Sequence, residues 1–354
     1  MTRFKCTVSY KGRNYDGWQS QKNGRSVQET IEKVISQIAQ EKIVITAAGR
    51  TDAGVNAHGQ VFHFDCGKDI SAYKWKGAIN GYLPDDIHIM DVQEEDDHFH
   101  ARYCVRMKQY DYRIQLNEYD VLTSDYAWQC PYDLDIEKMK EAAKYLVGTH
   151  DFTSFNSSSL KEYPDQVRTV KEISFEMKDN ILKISFTGKG FLRYMVRMMS
   201  AVLIEAGRGK ISPEDVKTIL EEKSKTAVRH NADPQGLTLQ KIDYFEICAM
   251  NEEVMVREFL LNDALPEGDT LEQLEKDVRD GIFPRKYAFT ERHSQKILGV
   301  FEVLNESEGI VSLYDPKEDN EKAAALVYDL QEWGMKNAGN KAFSVIVRPY
   351  EKMV

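Results

Sequence analysis

Asp52 follows Arg50 by two residues in a loop bracketed by glycines, Gly49-Arg50-Thr51-Asp52-Ala53-Gly54-Val55. Two readings fit this loop. As a turn, Asp52 would bond nearby backbone N–H groups while the glycines supply positive φ. As a reactive loop, the Arg50 guanidinium would hold the Asp52 carboxyl below its usual pKa and keep it ionised. An ionised carboxylate on a loop can act as a nucleophile at an anomeric carbon. Arg197 sits in a second segment, Phe191-Leu192-Arg193-Tyr194-Met195-Val196-Arg197-Met198-Met199, with apolar residues around it at helical spacing. A guanidinium there needs an anion, because burying it alone costs several kcal/mol. That anion is a protein carboxylate or a substrate phosphate. Arg193, one turn earlier, can reach solvent.

In Lys108-Gln109-Tyr110-Asp111-Tyr112 the two tyrosines share one strand face. They are core packing or an aromatic platform, which is worth ~1–3 kcal/mol per stacked base. Tyr10, Gly12, Arg13, Tyr15, Gly17, Trp18, Gln19 and Gln21 form a polar and aromatic stretch. It reads as a plain surface loop or as one that stacks bases and touches phosphates. His58 with His63, and His98 with His100, lack acidic or Cys partners at a recognisable spacing, so no metal site is expected. Gly207-Arg208-Gly209-Lys210 follows a helix and reads as its C-terminal cap, not as a phosphate loop.

The elements that must position these residues follow from periodicity. Residues 4–10 alternate as a half-buried strand. Ser26 and Glu29 open a helix to about residue 40 with a capping box. Strands are expected at 43–45, 61–64 and 108–116. Asp135 caps a helix that Gly148 stops, and a hairpin turns at Asp179-Asn180. A helix spans 191–206, another starts at Ser212-Pro213, and a strand covers 237–247. Beyond 249 the pattern changes to a charged helix from about 269, strands at 297–304 and 310–314, a helix at about 318–336 and a strand at 343–347. The expected fold is α+β: two similar halves, 1–105 and 106–248, share a mainly antiparallel sheet, and 249–354 forms a small α/β module.

The chain has 354 residues, 42% apolar, with a net charge of −10. That composition excludes wholesale disorder, and no apolar run approaches the ~18 residues that span a bilayer. Without an apolar signal core after the N-terminus, and with five scattered Cys, a reduced cytoplasmic setting is expected. The charge is uneven: residues 1–248 hold 34 basic and 36 acidic side chains, residues 249–354 hold 13 and 21. A basic face therefore fits the first part, with Arg13, Lys22, Arg25, Arg50, Arg102, Lys189 and Arg208 as candidates for RNA phosphate. The acidic module suits a protein partner instead.

These segments, in this order, resemble the TruA family of tRNA pseudouridine synthases over about residues 3–247. The resemblance rests on Val8 to Gln19, Ser26 to Gln28, Ala48 to Val55, Gly59 to Val61, Phe99-His100-Ala101-Arg102, Gln109 to Tyr112, Gly148 to Phe152, Phe191 to Arg197, Gly207 to Lys210 and Gly236 to Leu239. It implies a homodimeric enzyme, free of cofactor and metal, that isomerises uridine in the tRNA anticodon arm. It places the catalytic aspartate on Asp52, the loop arginine on Arg50, the stacking tyrosine on Tyr110 and the aspartate's partner on Arg197. Leu237 and Leu239 would wall the pocket, and Asn56, Gln60, Arg102, Arg13, Trp18 and Gln19 would contact substrate. Asn56 stands where many members have His, and the acidic module is extra, so a different RNA target is open. The competing class is an RNA-binding or chaperone protein on the same fold; the joint presence of Asp52, Arg50 and Arg197 argues against it.

Overall fold

The computed structural model describes residues 1–21, 24–97, 99–161, 163–245, 247–250, 253–257, 285–292, 296–305, 307–338 and 342–349. The chain forms two compact units, Met1–Glu95 with Val105–Asp243, and Asp96–Cys104 with Tyr244–Val354.

The first unit is built on one long sheet. Its strands are β1 (Thr2–Tyr10), β2 (Thr46–Ala47), β3 (Asn56–Cys66), β4 (Ile87–Glu95), β5 (Val105–Gln115), β6 (Trp128–Gln129), β7 (Gly148–Asp151), β8 (Val167–Lys178), β9 (Ile181–Gly188) and β10 (Leu237–Tyr244). Its helices are α1 (Val27–Ala39), α2 (Ala72–Tyr82), α3 (Ile136–Lys144), α4 (Met195–Gly207) and α5 (Pro213–Glu222). The strand order is β4-β1-β3-β10-β5-β9-β8-β7, with β2 on β3 and β6 on β5. Most pairs are antiparallel, as in β1 with β3 and β5 with β9. β10 runs parallel to β3, setting Thr238 opposite Asn56. The α+β class and the shared, mainly antiparallel sheet are thus as expected, and the two halves meet at β3, β10 and β5.

Local chemistry explains most elements. Phe4, Cys6, Val8 and Tyr10 of β1 face the core while Lys5, Thr7 and Ser9 are half-buried. Ser26 caps α1 by accepting from the Glu29 N–H. Glu29 does not complete the expected capping box; its carboxylate pairs with Lys33. Asp135 caps α3, and Ser212 with Asp215 closes a full box on α5 behind Pro213. Asp179 and Asn180 both take positive φ, 49° and 61°, the geometry of a tight hairpin turn.

Four further expectations for the first unit need correction. Residues 43–45 are not a strand. Their alternation reflects the burial of Ile43 and Ile45, and their N–H groups are taken by Ser36 Oγ and Glu32 Oε1 of α1, so no ladder forms. The helix expected from 191 starts at Met195, because Tyr194 takes a left-handed φ of 63°. The helix expected to run to Gly148 stops at Lys144, and Gly148 opens β7. The strand expected at 237–247 ends at Tyr244; Ile247 starts a strand of the second sheet.

That second sheet runs in chain order through β11 (Ile247–Met250), β12 (Val254–Arg257), β13 (Arg285–Glu291), β14 (Ile297–Asn305), β15 (Glu308–Leu313) and β16 (Ser344–Pro349). Val254, Phe289, Phe301, Val311, Leu326 and Leu330 belong to its own core. The helix expected at about 318–336 is two, α6 (Pro316–Ala324) and α7 (Val327–Ala338). The helix expected from about 269 lies outside the described residues. No described helix is long and apolar enough to cross a membrane.

Candidate active site

The Gly49–Val55 loop connects β2 to β3 and is tied down at Gly49, Thr51 and Gly54, as is Ala48 just before it. The Gln60 amide donates to the Gly49 carbonyl at 2.9 Å, and Lys108 Nζ donates to the Ala48 carbonyl at 2.9 Å. The Thr51 and Tyr10 hydroxyls share a buried hydrogen bond of 2.7 Å. The Trp18 N–H donates to the Thr51 carbonyl, and the Gly54 N–H to that of Tyr15. This lacing needs close backbone approach: a Cβ on Gly12 would lie 2.2 Å from the Val55 oxygen. Asp52 is therefore carried on a fixed scaffold.

Arg197 Nη1 lies 3.7 Å from Asp52 Oδ2, an ion pair longer than a hydrogen bond. The arginine is positioned independently of Asp52. Its Nε donates to the Ala232 carbonyl at 2.8 Å, and the Ala232 N–H returns a bond to the Arg197 carbonyl. Its guanidinium also lies 5.2 Å from the Tyr194 ring, which carries Arg193 at 4.9 Å. Burial pushes the Asp52 carboxyl above its ordinary value, and the charges of Arg197 and then Arg193 pull against that rise. This reverses the expectation of a carboxyl held low by Arg50. Arg50 is exposed and makes no described side-chain contact with Asp52. The charged partner that the fold supplies is Arg197, and desolvation outweighs it.

Tyr110, on β5, is 9% exposed and meets the edge of Phe191 at 5.4 Å. Burial first, then Tyr10 and Asp52, push its hydroxyl pKa far up, so the phenol stays protonated at neutral pH. Tyr112 is fully buried.

Several expected substrate contacts are occupied otherwise. The Asn56 side chain accepts from the Gly12 N–H and donates to the Asp125 and Gln235 carbonyls. Gln60 is fully buried and holds the loop. Trp18 packs between Tyr10 and Phe62. The Asn56 and Gln60 amides thus bond backbone groups, and Trp18 lies in the core. Arg13 pairs with Asp125, and Gln19 is half-buried. Leu237 and Leu239 are buried on β10 beside β3. Arg102 is exposed and belongs to the second unit. Of the basic candidates, Arg25 stacks on Tyr15 and Arg208 pairs with Glu205 over Tyr132. Lys22 lies outside the described residues.

Sequence reading assigned no role to Thr51, Lys108, Tyr194 or Ala232. Lys108 carried a signal, since it shares the strand face of Tyr110; the other three carried none. Among the described residues, no group of three His, Cys, Asp or Glu is placed to hold a metal ion.

The family model described as "tRNA pseudouridine synthase" matches residues 7–104 and 142–245, one stretch in each half. A protein named tRNA pseudouridine synthase A from Listeria monocytogenes serotype 4a (strain HCC23) is 45% identical over 248 residues, covering 69% of this chain and 100% of that protein. Its namesake from Geobacillus sp. (strain WCH70) is 43% identical over 244 residues, 68% of this chain and 98% of the relative. The one from Bacillus subtilis (strain 168) is 42% identical over 245 residues, 68% and 99%. Nearly whole relatives are thus matched by about two-thirds of this chain, and the loop and α4 that join Asp52 to Arg197 lie within the matched stretches. On a sheet shared by two matched halves, that agreement shows that the chain belongs to the TruA family of tRNA pseudouridine synthases.

Proposed function

We propose that this chain converts uridine to pseudouridine in the anticodon arm of tRNA, with Asp52 as the group that attacks the sugar or takes its proton. A member of this family is an isomerase acting on tRNA. The observation that carries the assignment of Asp52 is its pairing with Arg197 at the tip of a loop tied down on both sides. The reaction breaks the bond from C1′ to N1 and forms one from C1′ to C5. The proton lost from C5 is balanced by one gained at N1, so no atom is added and no cofactor is required.

Each residue has a role that follows from its surroundings. Burial makes the Asp52 carboxylate a stronger base and nucleophile than a solvated one, and Arg197 keeps enough of it ionised to react. Arg197 also fixes its aim. The Tyr110 hydroxyl, held protonated, can donate a hydrogen bond or a proton while its ring supports the flipped base. Arg50, exposed two residues from Asp52 and without a side-chain partner among the described residues, is proposed to meet the RNA. The enzyme is proposed to work as a homodimer, which sedimentation at micromolar concentration tests.

The deciding experiment maps pseudouridine at single-nucleotide resolution in tRNA treated with the pure protein and with Asp52→Asn. The expected result is modification confined to the anticodon arm and absent with the variant. Turnover by the Asn variant near the wild-type rate would remove Asp52 from the chemistry. Modification of another RNA would move the target and leave the site standing.

A further inference from the structure

Residues 96–104, which join β4 to β5, fold with the C-terminal unit. Residues 99–104 form a tight turn. The Cys104 N–H donates to the His100 carbonyl, and the Arg102 and Tyr103 N–H groups converge on His100 Nδ1 at 3.2 and 3.3 Å. Two ties hold the turn to the end of β10 and the residue after it: the Phe245 N–H donates to the Cys104 carbonyl at 2.9 Å, and the Tyr244 hydroxyl to the Ala101 carbonyl at 2.9 Å. The Phe99 ring meets that of Tyr244 at 5.0 Å.

Residues beyond the family match brace both sides of this tie. Arg292, just after β13, holds its guanidinium 4.4 Å from the Tyr103 ring. Its N–H donates to the Glu253 carbonyl. Arg257, fully buried on β12, lies 4.6 Å from the Phe245 ring. Such contacts are strongest when desolvated. Arg102 is exposed, and its guanidinium lies 6.0 Å from the same Tyr103 ring that Arg292 meets.

We propose that the C-terminal module is a brace for the 96–104 turn, with Arg292 as its positioning residue, and that it presents Arg102 to a tRNA phosphate. The proposal rests on the tRNA reading above and adds to it a role for the extra third of the chain. A guanidinium on a fixed backbone loses less freedom when it binds phosphate, so bracing converts into affinity without a new contact. Direct phosphate binding by the module is disfavoured by its excess of 21 acidic over 13 basic side chains.

A double-mutant cycle in the full-length protein tests this, with tRNA binding measured from low to physiological salt. Arg102→Ala should weaken binding several-fold and lower the salt slope by about 0.9, the loss of one phosphate contact. Arg292→Ala should weaken binding by a similar or smaller factor, with the loss in KM and not in kcat. The double variant should bind no worse than Arg102→Ala alone. Hydrogen exchange of the 99–104 amides should rise in Arg292→Ala. Additive losses, or an Arg292→Ala variant with wild-type affinity, overturn the brace. Should Arg292→Ala not fold, Arg292→Lys carries the same cycle with a smaller loss. A wild-type protein that neither binds nor modifies tRNA fails the functional reading itself, which separates the two.

Discussion

At Asp52 the protein accepts a less stable folded state in return for reactivity. A carboxyl raised by burial binds a proton more readily folded than unfolded. Its contribution to stability is therefore greatest below its unfolded pKa of about 3.9 and is lost as pH rises through the folded value. Asp52→Asn should abolish turnover yet melt no lower than the wild type at neutral pH, as pseudouridine assay and thermal denaturation would show. A clear drop in melting temperature would mean that the Arg197 pairing outweighs desolvation. Arg197→Met removes the largest influence holding the carboxyl down, so the acid limb of the rate profile should move to higher pH. Stability should fall by about 2 kcal/mol, the scale of a charged hydrogen bond to the Ala232 carbonyl. An unmoved acid limb would sever Arg197 from Asp52. Both residues were legible in the sequence, because glycine brackets and an arginine in an apolar helix are local signals. The employment of Asn56 was not: its partners Gly12, Asp125 and Gln235 lie far off in the chain.

Elements deliver these groups through side chains that hold backbone. Lys108→Met frees the Ala48 carbonyl and Gln60→Leu frees that of Gly49. Either should lower kcat by roughly tenfold, about 1.4 kcal/mol of lost preorganisation, while tRNA affinity stays close to wild type. Filter binding beside single-turnover kinetics reads that split; equal losses in both would show a loop that had simply collapsed. Remote from the site, Asn180→Gly should stabilise by several tenths of a kcal/mol, since φ of 61° suits glycine at the second turn position. Denaturant unfolding checks the sign. Periodic elements such as β1, α3, α5 and the β8–β9 hairpin were readable from the chain. The 43–45 segment misled because Glu32 and Ser36 replace a strand ladder there. The start of α4 misled because a tyrosine occupies a left-handed position that sequence patterns reserve for glycine.

On the scale of the whole molecule, a net charge of −10 hides an almost neutral first part. Binding of tRNA should still weaken steeply with salt, since phosphate contacts release counterions; a flat dependence would contradict a tRNA-sized footprint. Its core residues form a cluster separate from the main one, and the Listeria relative is matched over its full length by 69% of this chain. A chain ending at Cys248 should therefore fold and form pseudouridine at saturating RNA. It loses Arg257 and Arg292, so its 96–104 turn should exchange faster and its affinity for tRNA should fall at least as far as in Arg292→Ala. Wild-type affinity in the truncated chain would show that the turn holds without its brace. A truncated chain that folds and binds tRNA but does not turn over would place part of the module in the chemistry itself.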